Sequence, residues 1–292
     1  MCSLGPSALT HWRQRGERVR LAHPRCVLRR LGADVRTLIG KSVLTAEKEA
    51  ALLARHNKEK FVAVDVAGGR KVLLTPHGEL PNGLFLDPAG ECALEVDHKA
   101  LTATASAAPL EQSMLVSMRG AAQTREAVER AMTQYCGEFL PSAVLTTYGF
   151  AGAGTKVVCC VCALSQDLTN YWAGRWLAEW TLEVPSGASV GTLTGKVQLH
   201  VHYFEDGNVQ LDDSVLHQTE VKADASVGEQ VASAVRDFEQ QFNAKFESIY
   251  QTMSEGVLQG LRRRLPVTRT KYDWDKLSVA KLANEMTGLG TK

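Results

Sequence analysis

The stretch Ser226-Val-Gly-Glu-Gln-Val-Ala-Ser-Ala-Val-Arg-Asp-Phe-Glu-Gln-Gln-Phe-Asn-Ala-Lys-Phe-Glu-Ser-Ile249 decides the architecture of the chain. Within it and just beyond, Val231, Val235, Phe238, Phe242, Phe246, Ile249, Met253, Val257 and Leu261 recur at steps of three and four, the spacing that gathers side chains on one side of an α-helix. Ser226 and Glu229 stand three apart as a capping box, which fixes the start. The spacing predicts a helix of roughly 35 residues, about 50 Å long at 1.5 Å per residue. Its apolar stripe needs a broad apolar surface beneath it. Five strands at just under 5 Å each span roughly 24 Å, so the helix outreaches one such sheet, and a second sheet supplied by another chain fits the length.

That surface is legible immediately upstream. From Val144 to about Leu216 the pattern is antiparallel sheet. Val157-Val-Cys-Cys-Val-Cys-Ala-Leu164 is a continuous apolar run, a strand covered on both faces. Trp176, Ala178, Trp180, Leu182 and Val184 alternate with Leu177, Glu179, Thr181 and Glu183; Val197, Leu199, Val201 and Tyr203 alternate with Lys196, Gln198, His200 and His202. Glu205-Asp-Gly-Asn208 is a hairpin signal leading into Val209 and Leu211. About five strands follow one another through short turns.

Further toward the N-terminus, residues 60–98 form a small β region, with alternation around Val62, Val64 and Val66 and turns at Gly68-Gly69, Asn82-Gly83 and Asp87-Pro88. Ala100 to Pro109, rich in Ala, Thr and Ser, reads as a linker, and Val128, Ala131, Met132 and Tyr135 mark a helix face. Thr45 starts a helix through Leu52, Leu53 and His56, preceded by helical spacing at Val35, Leu38, Ile39, Val43 and Leu44; short helices in series predict an antiparallel helical subdomain. Eight arginines among the first 36 residues, from Arg13 to Arg36, face only Glu17 and Asp34. Pro6, Gly16, Pro24 and Gly32 interrupt the amphipathic helix that an organelle transit peptide needs, so this part reads as a solvated or partly helical arm.

The expected fold is therefore α+β: an N-terminal helical bundle, a small β region, a five-stranded antiparallel sheet crossed by one long helix, and a C-terminal amphipathic helix. The divisions fall at residues 1–59, 60–110, 111–265 and 266–292.

Composition limits the function. The chain has 292 residues, 45% of them hydrophobic and 22% charged, with a net charge of +1. This is a globular composition with length for one large or two ordinary domains. The near-neutral balance argues against a dedicated nucleic-acid binder. No run approaches the 18 or so apolar residues needed to cross a bilayer. Seven cysteines without framework spacing favour a reducing compartment, hence a cytoplasmic location. Cys159, Cys160 and Cys162 read as buried small hydrophobes, because adjacent strand residues point to opposite faces and cannot converge on zinc. His200 and His202 share a strand face without a spaced third ligand. No phosphate loop, nucleophile elbow or His-Glu-x-x-His occurs, so no enzyme activity, cofactor or metal is expected.

The binding chemistry lies at the end. Gly260-Leu-Arg-Arg-Arg-Leu-Pro-Val-Thr-Arg-Thr-Lys-Tyr-Asp-Trp274 places Arg262, Arg263 and Arg264 at a helix end, Pro266 as its stop, then Arg269 and Lys271. Cations at a helix C-terminus can simply complement the dipole. Arg269 and Lys271, past the stop, need another reason, and arginine suits carboxylates or phosphates of a partner. Asp273 can cap a second helix near Trp274. There Val279, Leu282, Ala283 and Met286 fall on one stripe, extended by Trp274 and Leu277. On residues alone this helix docks either on its own core or in a groove of another protein.

Several runs carry a family resemblance. Leu261-Arg-Arg-Arg-Leu-Pro-Val-Thr-Arg-Thr-Lys-Tyr-Asp-Trp274, preceded by Tyr250-Gln-Thr-Met-Ser254, resembles the C-terminal region of the F-actin capping protein alpha subunit family. Tyr171-Trp-Ala-Gly-Arg-Trp-Leu-Ala-Glu-Trp180, Val201-His-Tyr-Phe-Glu-Asp-Gly-Asn-Val-Gln-Leu211, His77-Gly-Glu-Leu80 and Phe85-Leu-Asp-Pro88 are similar to the same family. The likeness runs from about Asp34 to Met286; residues 1–33 match poorly. Where the family usually has a lysine, this chain has Gln259, while Arg264 replaces a common glutamine.

The resemblance implies an alpha subunit that pairs with a beta subunit of the same fold, their sheets joining into one. The heterodimer would bind the barbed end of an actin filament and block subunit addition and loss. It also implies that Arg263 and Arg269 meet actin, with Arg262, Arg264 and Lys271 beside them. The final helix would be a tentacle whose Trp274, Leu277, Leu282 and Met286 bind an apolar surface of a terminal actin. Phosphoinositides and regulatory proteins would act as inhibitors. Self-pairing into a homodimer, or a phosphoinositide-binding module built on the basic patch, are the alternatives.

Overall fold

In the computed structural model the described residues are 34–38, 43–167, 171–203 and 209–252. They belong to two compact units, residues 1–238 and 239–292. After a helical stretch at 34–38 come helix α1 (Ala46–Glu59) and strands β1 (Ala63–Asp65), β2 (Lys71–Leu73), β3 (Phe85–Asp87), β4 (Cys92–Asp97) and β5 (Thr102–Ala105). Helices α2 (Gln112–Gly120) and α3 (Ala122–Phe139) precede strands β6 (Val144–Ala151), β7 (Gly154–Asp167), β8 (Trp172–Pro185), β9 (Val190–Tyr203) and β10 (Val209–Lys222). Helix α4 (Val227–Thr252) follows.

Helix α1 starts where Thr45 predicts, with the Lys48 amide donating to Thr45 Oγ1. Its single fully buried residue is Asn57, whose Nδ2 donates to the His98 carbonyl at 3.0 Å. Glu49 ties the same helix to Arg36 and Lys99; these contacts, with the cost of burial working against them, leave its carboxyl below the usual range.

The small β region is a complete five-stranded sheet in the order β2-β1-β5-β4-β3. The stretch read as a linker supplies its middle strand: Thr102–Ala105 runs antiparallel to β4 and bridges β1 in parallel at Asp65↔Thr102. Pairing explains it. Ala103 is buried while Thr104 and Ala105 are both exposed, so the four residues show no period of two, and their place is set by the ladders to β4 and β1.

The second sheet is as expected, five antiparallel strands in the order β10-β9-β8-β7-β6. Its two faces are used differently. On one, Val157, Cys159, Val161, Trp176, Ala178, Trp180, Leu193 and Val197 are buried, and α3 contributes Val128, Met132 and Tyr135 to the interior, as their spacing predicts. On the other, Tyr148, Val158, Cys160, Cys162 and Leu177 form a core with Leu73 and Leu86 of the first sheet, Phe61 of the turn before it and Met118 of α2. Buried polar contacts fix this junction: the Leu73 amide donates to Thr146 Oγ1 at 2.9 Å, Tyr148 Oη donates to the Leu73 carbonyl at 3.2 Å, and Thr75 Oγ1 lies 3.1 Å from Tyr148 Oη. Burial pushes the Tyr148 phenol up.

The start of α4 differs from the capping box in its donor and acceptor. Asp224, two residues before Ser226, accepts from the Ser226 amide at 2.8 Å, from Ser226 Oγ at 2.6 Å and from Gln230 Nε2 at 3.0 Å. The carboxylate is a stronger acceptor than a hydroxyl, and these bonds hold the Asp224 carboxyl below the usual range. The described helix runs for 26 residues. The expected continuation through Met253, Val257 and Leu261 lies outside the described residues, as do the side chains of Phe246 and Ile249, residues 1–33 and the Glu205-Asp-Gly-Asn208 turn.

Candidate functional site

The predicted binding residues Arg262, Arg263, Arg264, Arg269, Lys271, Trp274, Leu277, Leu282 and Met286 all lie outside the described residues. What the described chain supplies is the seat of the helix that precedes them and one open edge of the sheet.

The seat is built around Trp180. Its indole is 1% exposed and meets Phe238 of α4 edge-on at 5.5 Å between ring centres and His217 of β10 at 6.3 Å. Phe238 and His217 in turn pack at 4.7 Å. The ring fits because its cross-strand partner is Gly195: a Cβ there would fall inside the van der Waals envelope of the indole. Gly228 makes the same kind of room at the second residue of α4, where a Cβ would overlap the Ala127 carbonyl of α3. Arg236 lies over the rings of Phe139 and Tyr135, 5.2 and 6.0 Å from their centres, so the first half of α4 is held by aromatic, backbone and cation–π contacts together.

The open edge is β10. Among the described residues it pairs only with β9, over 14 residues from Val209↔Tyr203 to Lys222↔Val190. The opposite edge strand, β6, is attended by other groups: the Ala151 carbonyl accepts from Ser117 Oγ of α2 at 2.7 Å, and Thr146 takes the Leu73 amide. The strand extends past the expected end near Leu216 to Lys222, with Thr219 and Val221 continuing the alternation.

The other chemical candidates resolve into structure. Cys159, Cys160 and Cys162 are buried, and burial pushes the Cys159 thiol up to about 12 and the Cys162 thiol up to about 11, with Cys160 raised as well. Thiolate is the reactive species, so in the folded protein at pH 8 iodoacetamide leaves these three unmodified. Mass spectrometry after labelling in guanidinium is expected to show all three carbamidomethylated; modification before unfolding would contradict the burial. His200 Nδ1 lies 2.6 Å from Asp212 Oδ1, across the β9–β10 ladder. His202 is half-buried on the same side. Among the described residues no group of three His, Cys, Asp or Glu side chains is placed to hold a metal ion. None of the described helices is long and apolar enough to cross a membrane.

Comparison with known proteins follows the same lines. The sequence profile described as "F-actin capping protein alpha subunit" matches residues 21–285, so the likeness begins upstream of Asp34. The F-actin-capping protein subunit alpha of Dictyostelium discoideum is 32% identical over 269 residues, covering 90% of this chain and 93% of that protein. Its counterpart in Caenorhabditis elegans is 30% identical over 259 residues, covering 87% and 89%. Among solved structures, the homodimeric actin capping protein alpha subunit from Plasmodium berghei superposes with a TM-score of 0.65 at 16% identity, over 83% of this chain and 92% of that one, a likeness of fold.

Proposed function

Because the chain belongs to the F-actin capping protein alpha subunit family, we propose that it is the alpha subunit of a barbed-end capping protein, binding filament ends and blocking subunit addition and loss. The observation that carries this reading is the extent of the family match, residues 21–285, which takes in the sheet, α4 and the basic stretch together. On this reading the chain works in the cytoplasm with the actin cytoskeleton and by binding, without catalysis.

The helices around α1 form a stalk, and the chain beyond Pro266 forms an amphipathic tentacle. Arg262, Arg263, Arg264, Arg269 and Lys271 meet acidic groups of actin, and Trp274, Leu277, Leu282 and Met286 lie on its apolar surface. Phosphoinositides compete for the same arginines through their phosphates, and regulatory proteins act on the assembled cap. The β10 edge takes the neighbouring sheet of a beta subunit, since a row of unpaired N–H and C=O groups is a template for another strand.

A second reading, self-pairing, draws on the same edge. An antiparallel pair of two identical β10 strands, Val209 to Lys222, would centre between Val215 and Leu216. The relative from Plasmodium berghei is described as homodimeric.

One experiment tests both. The chain is purified alone and with a beta subunit, and each preparation is added to actin filaments elongating at their barbed ends. Arrest by the two-subunit form, with the lone chain inert, is the expected result. Arrest by the lone chain as a dimer selects self-pairing, and undiminished growth with either form sinks the proposal.

A further inference from the structure

We propose that Arg175, together with Lys60 and His56, forms a docking surface for an acidic peptide segment of a partner protein, separate from the basic stretch at 262–271. Arg175 stands in a cross-sheet row on the face opposite α4, Leu164–Arg175–His200–Asp212. The end of α1 reaches the same face: the Lys60 carbonyl lies 3.9 Å from Cys162 Sγ, and Cys162 sits two residues before Leu164 on β7. His56 is one helical turn before Lys60 on α1. Burial first, and then the charges of Arg175 and Lys60, hold the His56 imidazole below its usual range, so the ring favours its neutral form and offers an N–H donor beside the two cations.

The neighbouring carboxylates among the described residues are already engaged. Glu59 pairs with Arg55, Glu79 with Lys58 at 2.6 Å, Asp212 with His200 at 2.6 Å and Glu179 with His77 at 3.1 Å. Among the described residues, neither Arg175 nor Lys60 has an ion pair. Cations at the end of α1 complement its dipole, but that accounts for Lys58 and Lys60 and leaves Arg175, which arrives from a strand. A guanidinium is suited to a carboxylate in bidentate contact. The rim favours a peptide over a bare anion: Leu164, the cross-strand partner of Arg175, is 53% exposed, giving an apolar contact beside the charge. An extended segment alternating acidic and apolar residues, with side chains about 7 Å apart on one side, uses both.

The test is fluorescence anisotropy on the full chain assembled with its beta subunit. The probe is a labelled peptide of glutamate pairs separated by leucines, and its glutamine counterpart is the control. The glutamate peptide is expected to bind at least about tenfold more tightly than the control, and Arg175→Gln to weaken it about fivefold or more. Lys60→Gln, at an exposed position, gives the same direction without touching the sheet, should Arg175→Gln fold poorly. Neither variant is expected to change barbed-end arrest, so failure here is distinguishable from failure of the capping proposal. Equal binding of both peptides, indifference to both substitutions, loss of capping in Lys60→Gln, or binding only to phosphatidylserine vesicles would each overturn the assignment.

Discussion

Trp180→Ala is expected to lower the melting temperature by about 10 °C, the largest change in stability from a single side chain. Truncating a buried tryptophan costs about 3–5 kcal/mol, and each kcal/mol shifts the transition of a chain this size by about 2–4 °C. The upper part of that range is softened by one feature: Trp180 Nε1 is buried with no hydrogen-bond partner among the described residues, so its removal also relieves an unsatisfied donor worth about 1–3 kcal/mol. What remains is loss of contact with Phe238 and His217 and a cavity opposite Gly195, which has no side chain to fill it. Gly195→Val should reproduce much of the effect from the other side by displacing the indole. Thermal unfolding followed by circular dichroism checks both. A shift within about 2 °C for Trp180→Ala would mean that α4 is seated by its other contacts alone.

Arg263→Glu combined with Arg269→Glu is expected to leave folding intact while raising the dissociation constant for barbed ends at least tenfold. Tenfold corresponds to about 1.4 kcal/mol. Reversing two charges against an acidic partner both removes attraction and adds like-charge repulsion, which costs several kcal/mol at close range, so the threshold is conservative. An elongation assay at fixed ionic strength reads the constant, and far-ultraviolet circular dichroism reads the fold. Unchanged capping would show that these two arginines are not the grip and would move attention to Trp274, Leu277, Leu282 and Met286, whose truncation tests the apolar part separately.

The parts of the fold legible in the sequence are those with strong periodicity and enough length to show it. Trp176 to Leu182 and Val197 to Val201 alternate cleanly because one side of each strand is buried, and the stripe from Val231 to Phe238 repeats because the helix lies on Trp180. Short elements and caps were harder. Strand β5 offers only four residues, and its Ala-Thr composition is also that of a linker. The cap at Asp224 was hidden by a nearer serine and glutamate with the right spacing. The basic stretch from Arg262 to Lys271 stands out in the sequence because its charges lie close together, and it falls outside the described residues. Arg175 gives no such signal, because the end of α1 reaches its face of the sheet only through the tertiary fold.

The flank of β10 that no described strand covers has a consequence for how the chain is produced in a cell. Alternate residues along its 14-residue length aim amide and carbonyl groups outward, and Leu216, 73% exposed, sits midway. Such a ribbon recruits any extended polypeptide it meets. On the proposed pairing, synthesis in excess of the partner leaves surplus copies for chaperones and proteases to clear, and the abundance of this chain becomes tied to that of the strand that covers the flank.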